Sequence, residues 1–172
     1  MTDTDPVTLE PAGRDQEPVL ANLLELYCHD LSDLFGLEVG PEGRFGYRRL
    51  SLYWSEPETR RAFLIRRGTR LAGFALVHLG SSLAGVAADC DVAEFFVLRG
   101  HRRFGVGRRA AHQLWDRFPG TWTVRVAASN DGARAFWASA IRDYATGPIS
   151  EHRRVVDGRD WEVFAFGSRR SS

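Results

Sequence analysis

The chain has no lysine; all 23 of its basic residues are arginine. Schiff-base and other lysine chemistry is thereby excluded. Net charge is nearly absent as well. The formal value is +1 over 172 residues, which gives no global electrostatic case for nucleic acid. Cysteine is scarce, with only Cys28 and Cys90, far apart and among apolar neighbours. Free buried thiols are expected there rather than a disulfide. No Cys/His cluster has metal-ligand spacing, so no metal is expected. No apolar run reaches the length that spans a bilayer, and the polar, acidic first residues do not read as a signal peptide. Together these absences fit a cytoplasmic protein with no membrane partner.

What is present reads as one globular domain over residues 1–172, with flexible tails at about 1–5 and 168–172. Val7–Glu10 suggests a short first strand. From Glu17 to Phe35 the apolar residues Val19, Leu20, Leu23, Leu24, Tyr27, Leu31 and Leu34 recur at helical spacing. Residues 44–55 are rich in Arg, Tyr and Trp without a period. Arg61–Arg67 and Arg70–Leu79 flank Gly68-Thr69 as a hairpin. Gly80–Ala88 reads as a small-residue loop, and Asp91–Leu98 as the next strand. A helix follows Gly107, then a strand at Trp122–Ala127, then a helix capped by Asn130. Two last strands are expected near Tyr144-Ala-Thr and at Trp161–Phe166. The fold class is α/β (mixed, α+β), a mixed sheet with helices packed on it.

The segment Glu94–Ala111 is the most informative. A short apolar strand enters a basic turn carrying Arg102-x-x-Gly105-x-Gly107, which opens at once into a helix. Alternate glycines let a ligand approach the backbone. The first N–H groups of the helix have no internal partners and, with the helix dipole and the arginines, suit a pyrophosphate. A P-loop would need Lys and then Ser or Thr after its last glycine, which this turn lacks.

The element order and this turn resemble the GNAT superfamily of acyl-CoA N-acyltransferases. Arg102, Gly105 and Gly107 fill its acyl-CoA signature. Asn130, Ala133, Phe136 and Trp137 fill its second element, an Asn followed by Ala and an aromatic pair. The resemblance implies a central, mostly antiparallel twisted sheet of six to seven strands, splayed after strand 4 and flanked by about four helices. It implies acetyl-CoA as co-substrate, contacted by Phe96, Val97, Leu98, Arg102, Arg103, Phe104, Gly105, Val106, Gly107, Arg108, Asn130 and Phe136. It also implies a small-molecule amine acceptor, and it leaves a homodimer open.

An amine attacks a thioester only when neutral, so the reaction needs a base or a desolvating pocket. Asp91 and Glu94 are the candidate catalytic carboxylates, and Glu94 is favoured because it directly precedes Phe95-Phe-Val. Being three apart, they would face opposite sides of a regular strand; a bulge would alter that parity. The family's usual acid, a Tyr, is replaced by Trp137, whose indole cannot release its proton near neutral pH. Trp137 is therefore read as a packing residue, with Tyr144 or water left to protonate the thiolate. Tyr27, Asp30, Ser32, Tyr53 and Trp54 are the candidate acceptor contacts, Asp30 as an acid for a cationic amine. His29 belongs with these candidates, whereas His101 and His112 read as surface or core residues. Two alternatives stay open: another acyl donor, either a longer acyl-CoA or an aminoacyl-tRNA, and a non-catalytic acyl-CoA-binding module. Nucleic acid enters only with the tRNA donor.

Overall fold

The computed structural model describes residues 5–81 and 86–168. Residues 1–4, 82–85 and 169–172, which hold most of the expected tails and part of the expected loop, lie outside the described residues. Seven strands, β1 (Val7–Pro11), β2 (Arg60–Arg67), β3 (Arg70–Ser81), β4 (Ala88–Val97), β5 (Thr121–Ala127), β6 (Ile149–Val156) and β7 (Arg159–Gly167), form one sheet in the order β1-β2-β3-β4-β5-β7-β6. Helices α1 (Glu17–Phe35) and α2 (Leu52–Ser55) precede β2, α3 (Val106–Arg117) joins β4 to β5, and α4 (Asp131–Tyr144) joins β5 to β6. Every neighbouring pair of strands is antiparallel except β4 with β5.

The helices bury the stripes their spacing predicts. On α1 these are Leu20, Leu23 and Leu24; on α3, Ala110, Ala111, Leu114 and Trp115. α1 stops at Gly36, whose left-handed backbone directs its N–H back to the Ser32 carbonyl. One face of the sheet packs under α1 and α2 through Tyr53, Leu64, Phe74 and Leu76. The other packs under α3 and α4 through Trp115, Trp122, Trp137, Ile141 and Phe164.

Two expectations are corrected. No strand begins at Tyr144, which is the buried last residue of α4; β6 starts only at Ile149. Ser168 is fastened rather than loose, its N–H donating to the Gly120 carbonyl at 2.8 Å while its Oγ accepts from Gly120 N–H at 2.8 Å.

Two irregularities in β4 shape the molecule. Leu76 pairs with Glu94 and Val77 with Val92, so Ala93 is an extra residue, a bulge. Residues on either side of it, Asp91 and Glu94, then share a face, the one toward α1 and α2. Second, β5 pairs with β4 only through Cys90–Val92 and Trp122–Val124. Beyond that point the strands part, and the edge of Ala93–Val97 that faces β5 has no partner strand among the described residues. This is the splay implied by the resemblance.

Gly73 on β3 lies under the same segment. A Cβ there would stand 1.9 Å from the Phe96 carbonyl oxygen, so the two backbones would have to separate. Gly73→Ala should lower stability by about 3 kcal/mol, read as a reduced midpoint in urea unfolding with an unchanged m-value.

Candidate functional site

The parting of β4 from β5 opens a cleft of about 1470 Å³ that is lined from both faces of the sheet, by Tyr27 and Asp30 of α1 on one and by Ala133, Phe136 and Trp137 of α4 on the other. Glu94 sits at its centre. Tyr27, from α1, donates its hydroxyl proton to Glu94 Oε2 at 2.7 Å, and Tyr47, from the segment before α2, donates to Oε1 at 3.2 Å. Burial raises the Glu94 carboxyl above its usual range, and the two tyrosine hydroxyls offset only part of that rise. Burial and the Glu94 charge push both phenols upward, so they remain donors.

Asp91 occupies a different environment. It is fully buried behind the cleft floor. Thr123 Oγ1 donates to its Oδ1 at 2.9 Å, and Arg125 Nη2 lies 3.6 Å from Oδ2. Burial raises this carboxyl too, against Arg125 and Thr123. Asp91 does not line the cleft, which corrects its reading as a catalytic carboxylate in contact with substrate; it lies against Arg125, an arginine that does.

On one side of Glu94 lies the basic turn. Gly105 adopts φ +69° and caps α3, leaving the N–H groups of Val106, Gly107 and Arg108 without helical partners. A Cβ on Gly107 would come within 3.1 Å of the Phe136 ring and 3.6 Å of Val97 Cγ2, so this glycine lets α4 close on the turn. Asn130 caps α4, its Oδ1 accepting from Ala133 N–H at 3.0 Å. Phe96, Val97, Arg103, Arg108, Asn130 and Phe136 also line the cleft. Leu98 and Phe104 do not. Leu98 packs in the core under α1, and Phe104 lies beneath the Arg67 guanidinium at 4.2 Å. This shape, two glycine positions with no room or no conformation for a side chain beside free N–H groups, fits the pyrophosphate and pantetheine of an acyl-CoA.

Arg102 turns inward. Its Nε donates to the Val97 carbonyl at 2.7 Å and its Nη2 to Asp30 at 2.5 Å, while Arg99 donates to the other Asp30 oxygen at 3.0 Å. Burial works to raise the Asp30 carboxyl, but the two arginines outweigh it and hold the group below its usual range. Asp30 is thus spent on tying α1 to the turn, which corrects its reading as an acid for a cationic amine. Ser32 Oγ donates to the His29 carbonyl, and Trp54 Nε1 to that of Ala12; neither lines the cleft.

The other side of Glu94 holds residues that pattern reading did not single out: Tyr47, Arg48, Arg49, Arg60, His78, Arg125 and Trp161. His78 Nε2 accepts from Arg60 Nη1 at 2.6 Å, and the Tyr53 hydroxyl lies 3.1 Å from the same nitrogen. Because guanidinium only donates, the imidazole hydrogen must lie on Nδ1. Burial, with Arg60, Arg125 and Arg49 nearby, lowers His78 to about 4, so the ring is neutral at pH 7. Tyr53 therefore touches the site through His78. The unpatterned run of Tyr and Arg at 47–49 is the only signal in the sequence for this half.

Trp137 is wedged between Phe95 at 5.0 Å, Phe136 at 4.8 Å and Trp115 at 6.2 Å between ring centres. Tyr144 faces the α3 side of the core and donates to Asp116 Oδ1 at 2.8 Å, away from the cleft. Cys90 is buried, its thiol pushed up to about 11 by burial, whereas Cys28 is only half-buried and sits on the cleft wall.

Comparison with known proteins places this geometry. No curated protein sequence matches the chain. Among solved structures, an acetyltransferase from Thermus thermophilus superposes with a TM-score of 0.69 at 21% identity, over 94% of this chain and 96% of that one. A spermidine N-acetyltransferase from Vibrio cholerae, in complex with CoA and spermine, gives 0.62 at 14% identity, over 94% and 95%. The ribosomal-protein-S18-alanine N-acetyltransferase from Escherichia coli gives 0.57 at 17%, over 97% of each chain. These likenesses establish the shared fold. Residues 21–140, which include the splayed strand, the glycine turn and the Asn130 element, match the sequence profile of the Acetyltransferase (GNAT) family, and the chain belongs to that family.

Proposed function

We propose that the protein transfers an acetyl group from acetyl-CoA to a primary amine of a small molecule, by direct attack within a ternary complex. The observation that carries this reading is Glu94. It is a carboxylate of raised basicity, fixed by two tyrosine hydroxyls, placed where β4 leaves β5 and between an anion-binding turn and a second open pocket.

The donor supplies an activated carbonyl. Val106, Gly107 and Arg108 N–H groups hold its phosphates, and the unpaired edge of Ala93–Val97 aligns its pantetheine arm and the thioester. The edge N–H groups face the oxygen on which negative charge develops. Glu94 takes the proton of the incoming ammonium, directly or through one water, and a base of raised pKa is better matched to that task near neutral pH. The Trp137 indole is too weak an acid to give up its proton near neutral pH, and Tyr144 is committed to Asp116; the departing thiolate takes its proton from water. Phe95 and Trp137 form the apolar wall that keeps the acyl slot dry.

Glu94→Gln should lower kcat on a good amine by about 100-fold and leave acetyl-CoA affinity unchanged. The same variant separates function from stability. Because the folded carboxyl lies above its unfolded value, the native state binds the proton more tightly. Stability is then fully present below the unfolded pKa, falls as pH rises through the folded pKa, and stays reduced at pH 7. Glu94→Gln should accordingly match or exceed the parent Tm at pH 7, with the advantage shrinking toward pH 4.

Gly105→Val forces a β-branched residue into φ +69°, a strain of roughly 1–3 kcal/mol, and should abolish acetyl-CoA binding in calorimetry while the circular-dichroism spectrum is retained. Trp137→Phe keeps most of the wall and should hold kcat within about tenfold of the parent. Trp137→Ala should cost about 3–5 kcal/mol of stability through the cavity it leaves, measured by chemical denaturation.

A further inference from the structure

The half of the cleft beyond Glu94 carries an unbalanced positive charge. Arg48, Arg49, Arg60, Arg125 and Arg159 all line it. Their carboxylate partners are few. Glu56 is taken by Arg60 at 2.7 Å. Asp91 is buried behind Arg125, already accepts from Thr123, and stands 3.6 Å from the guanidinium, beyond a normal hydrogen bond. Arg125 Nε is buried and has no hydrogen-bond partner among the described residues. Arg49 is exposed and makes no ion pair among the described residues. Apart from Glu94 itself, the carboxylate lining this half is that of Glu38, on an exposed residue.

Register fixes where this charge lies relative to the base. Asp91 pairs with Thr123, so Arg125 is two residues further along β5. Glu94 is three residues further along β4, and the bulge at Ala93 absorbs one of them. Glu94 and Arg125 therefore stand level, on the same face, across the gap between the parted strands. Adjacent paired strands are about 5 Å apart, and the gap here is wider. We propose that the acceptor is an amine that also bears a carboxylate, the amine meeting Glu94 and the carboxylate held between Arg125 and Arg49. This rests on the acetyl-transfer reading above and names its substrate class. An Arg-lined pocket binds carboxylate through paired N–H donors, whereas a polyamine would bring further positive charge against five arginines. His78 sits in the same field: burial first, and then Arg60, Arg125 and Arg49, disfavour its protonation.

The test is CoA release by the full chain with acetyl-CoA, over matched acceptors: short amino acids, their amides, and 1,4-diaminobutane with spermidine. The amine of an amino-acid amide is the weaker base and more often neutral, which biases the comparison against the proposal. Amino acids should still exceed their amides in kcat/KM by about tenfold or more, and the diamines further. Arg49→Ala should bring that ratio close to one by raising the KM of the carboxylated acceptor, with acetyl-CoA affinity kept, and Arg49→Glu should invert it. Arg125→Lys keeps a cation against buried Asp91 and so remains folded; it should weaken the same selectivity. Equal or better use of amides and diamines, with CoA still released, overturns this inference and leaves the transferase reading standing. So does a carboxylate preference that appears on the donor, with succinyl-CoA favoured and Arg49→Ala changing the donor KM. Acetyl-CoA binding without CoA release for any amine overturns both.

Discussion

One extra residue in β4 sets the chemistry of the site. Without the bulge at Ala93, alternation along the strand would send Asp91 and Glu94 to opposite faces. With it, both carboxylates and His78 point toward α1 and α2, where the parted strands leave space. The two acids then diverge by environment rather than by direction. Asp91 lies where β4 and β5 are still paired, so it is sealed and meets Thr123 and Arg125. Glu94 lies just past the last paired residue, so it is open to a ligand and is held by hydroxyls that come from outside the sheet. Parting the strands also strips β4 of partners along one edge. Such an unpaired edge is normally a liability; here it lies inside a cleft whose walls are α1 and the turn before α3.

Charge organises the cleft into two parts of different character. On the turn side, arginine is used structurally: Arg99 and Arg102 converge on Asp30, Arg108 on Asp143, and Arg109 on the Phe104 carbonyl. The free donors there are the backbone N–H groups of Val106, Gly107 and Arg108, joined by the side chain of Arg103. On the other side the side chains supply the field and the carboxylates are too few to quench it. A net charge of +1 for the whole chain hides this asymmetry, because total charge reports nothing about how pairs are distributed.

Much of the fold was legible because periodicity and punctuation agreed. The helical spacing from Glu17 to Phe35 ends at a glycine that terminates α1 in space, and Gly68-Thr69 marks the β2–β3 turn. The Arg102, Gly105 and Gly107 turn was legible because its glycines meet a conformational and a steric demand that few other residues satisfy. What failed had physical reasons. Tyr144-Ala-Thr has β-favouring composition, but Tyr144 completes the buried stripe of α4, and tertiary packing decided the outcome. Asp30 reads as a polar interruption of an apolar helix facing a substrate. Its actual partners, Arg99 and Arg102, lie some seventy residues away, and no local pattern announces such a pair. The half of the cleft beyond Glu94, from Tyr47 to Arg49 with His78, Arg125 and Trp161, is assembled from four separate segments on irregular or strand positions. Only the register, with its bulge, brings them together.

Helix α1 touches both ends of the reaction zone. Tyr27 and Asp30 are three residues apart and so lie on neighbouring positions of one helical face. The first holds the Glu94 carboxylate, and the second holds Arg102 at the glycine turn. A rigid rod that grips two parts of a machine transmits displacement from one to the other. Any load that tilts or slides α1 by a fraction of an ångström alters the length of the Tyr27–Glu94 bond and the seat of Arg102 together. The Glu94 carboxylate and the glycine turn, held by separate segments of the chain, are thereby fastened to one helical face.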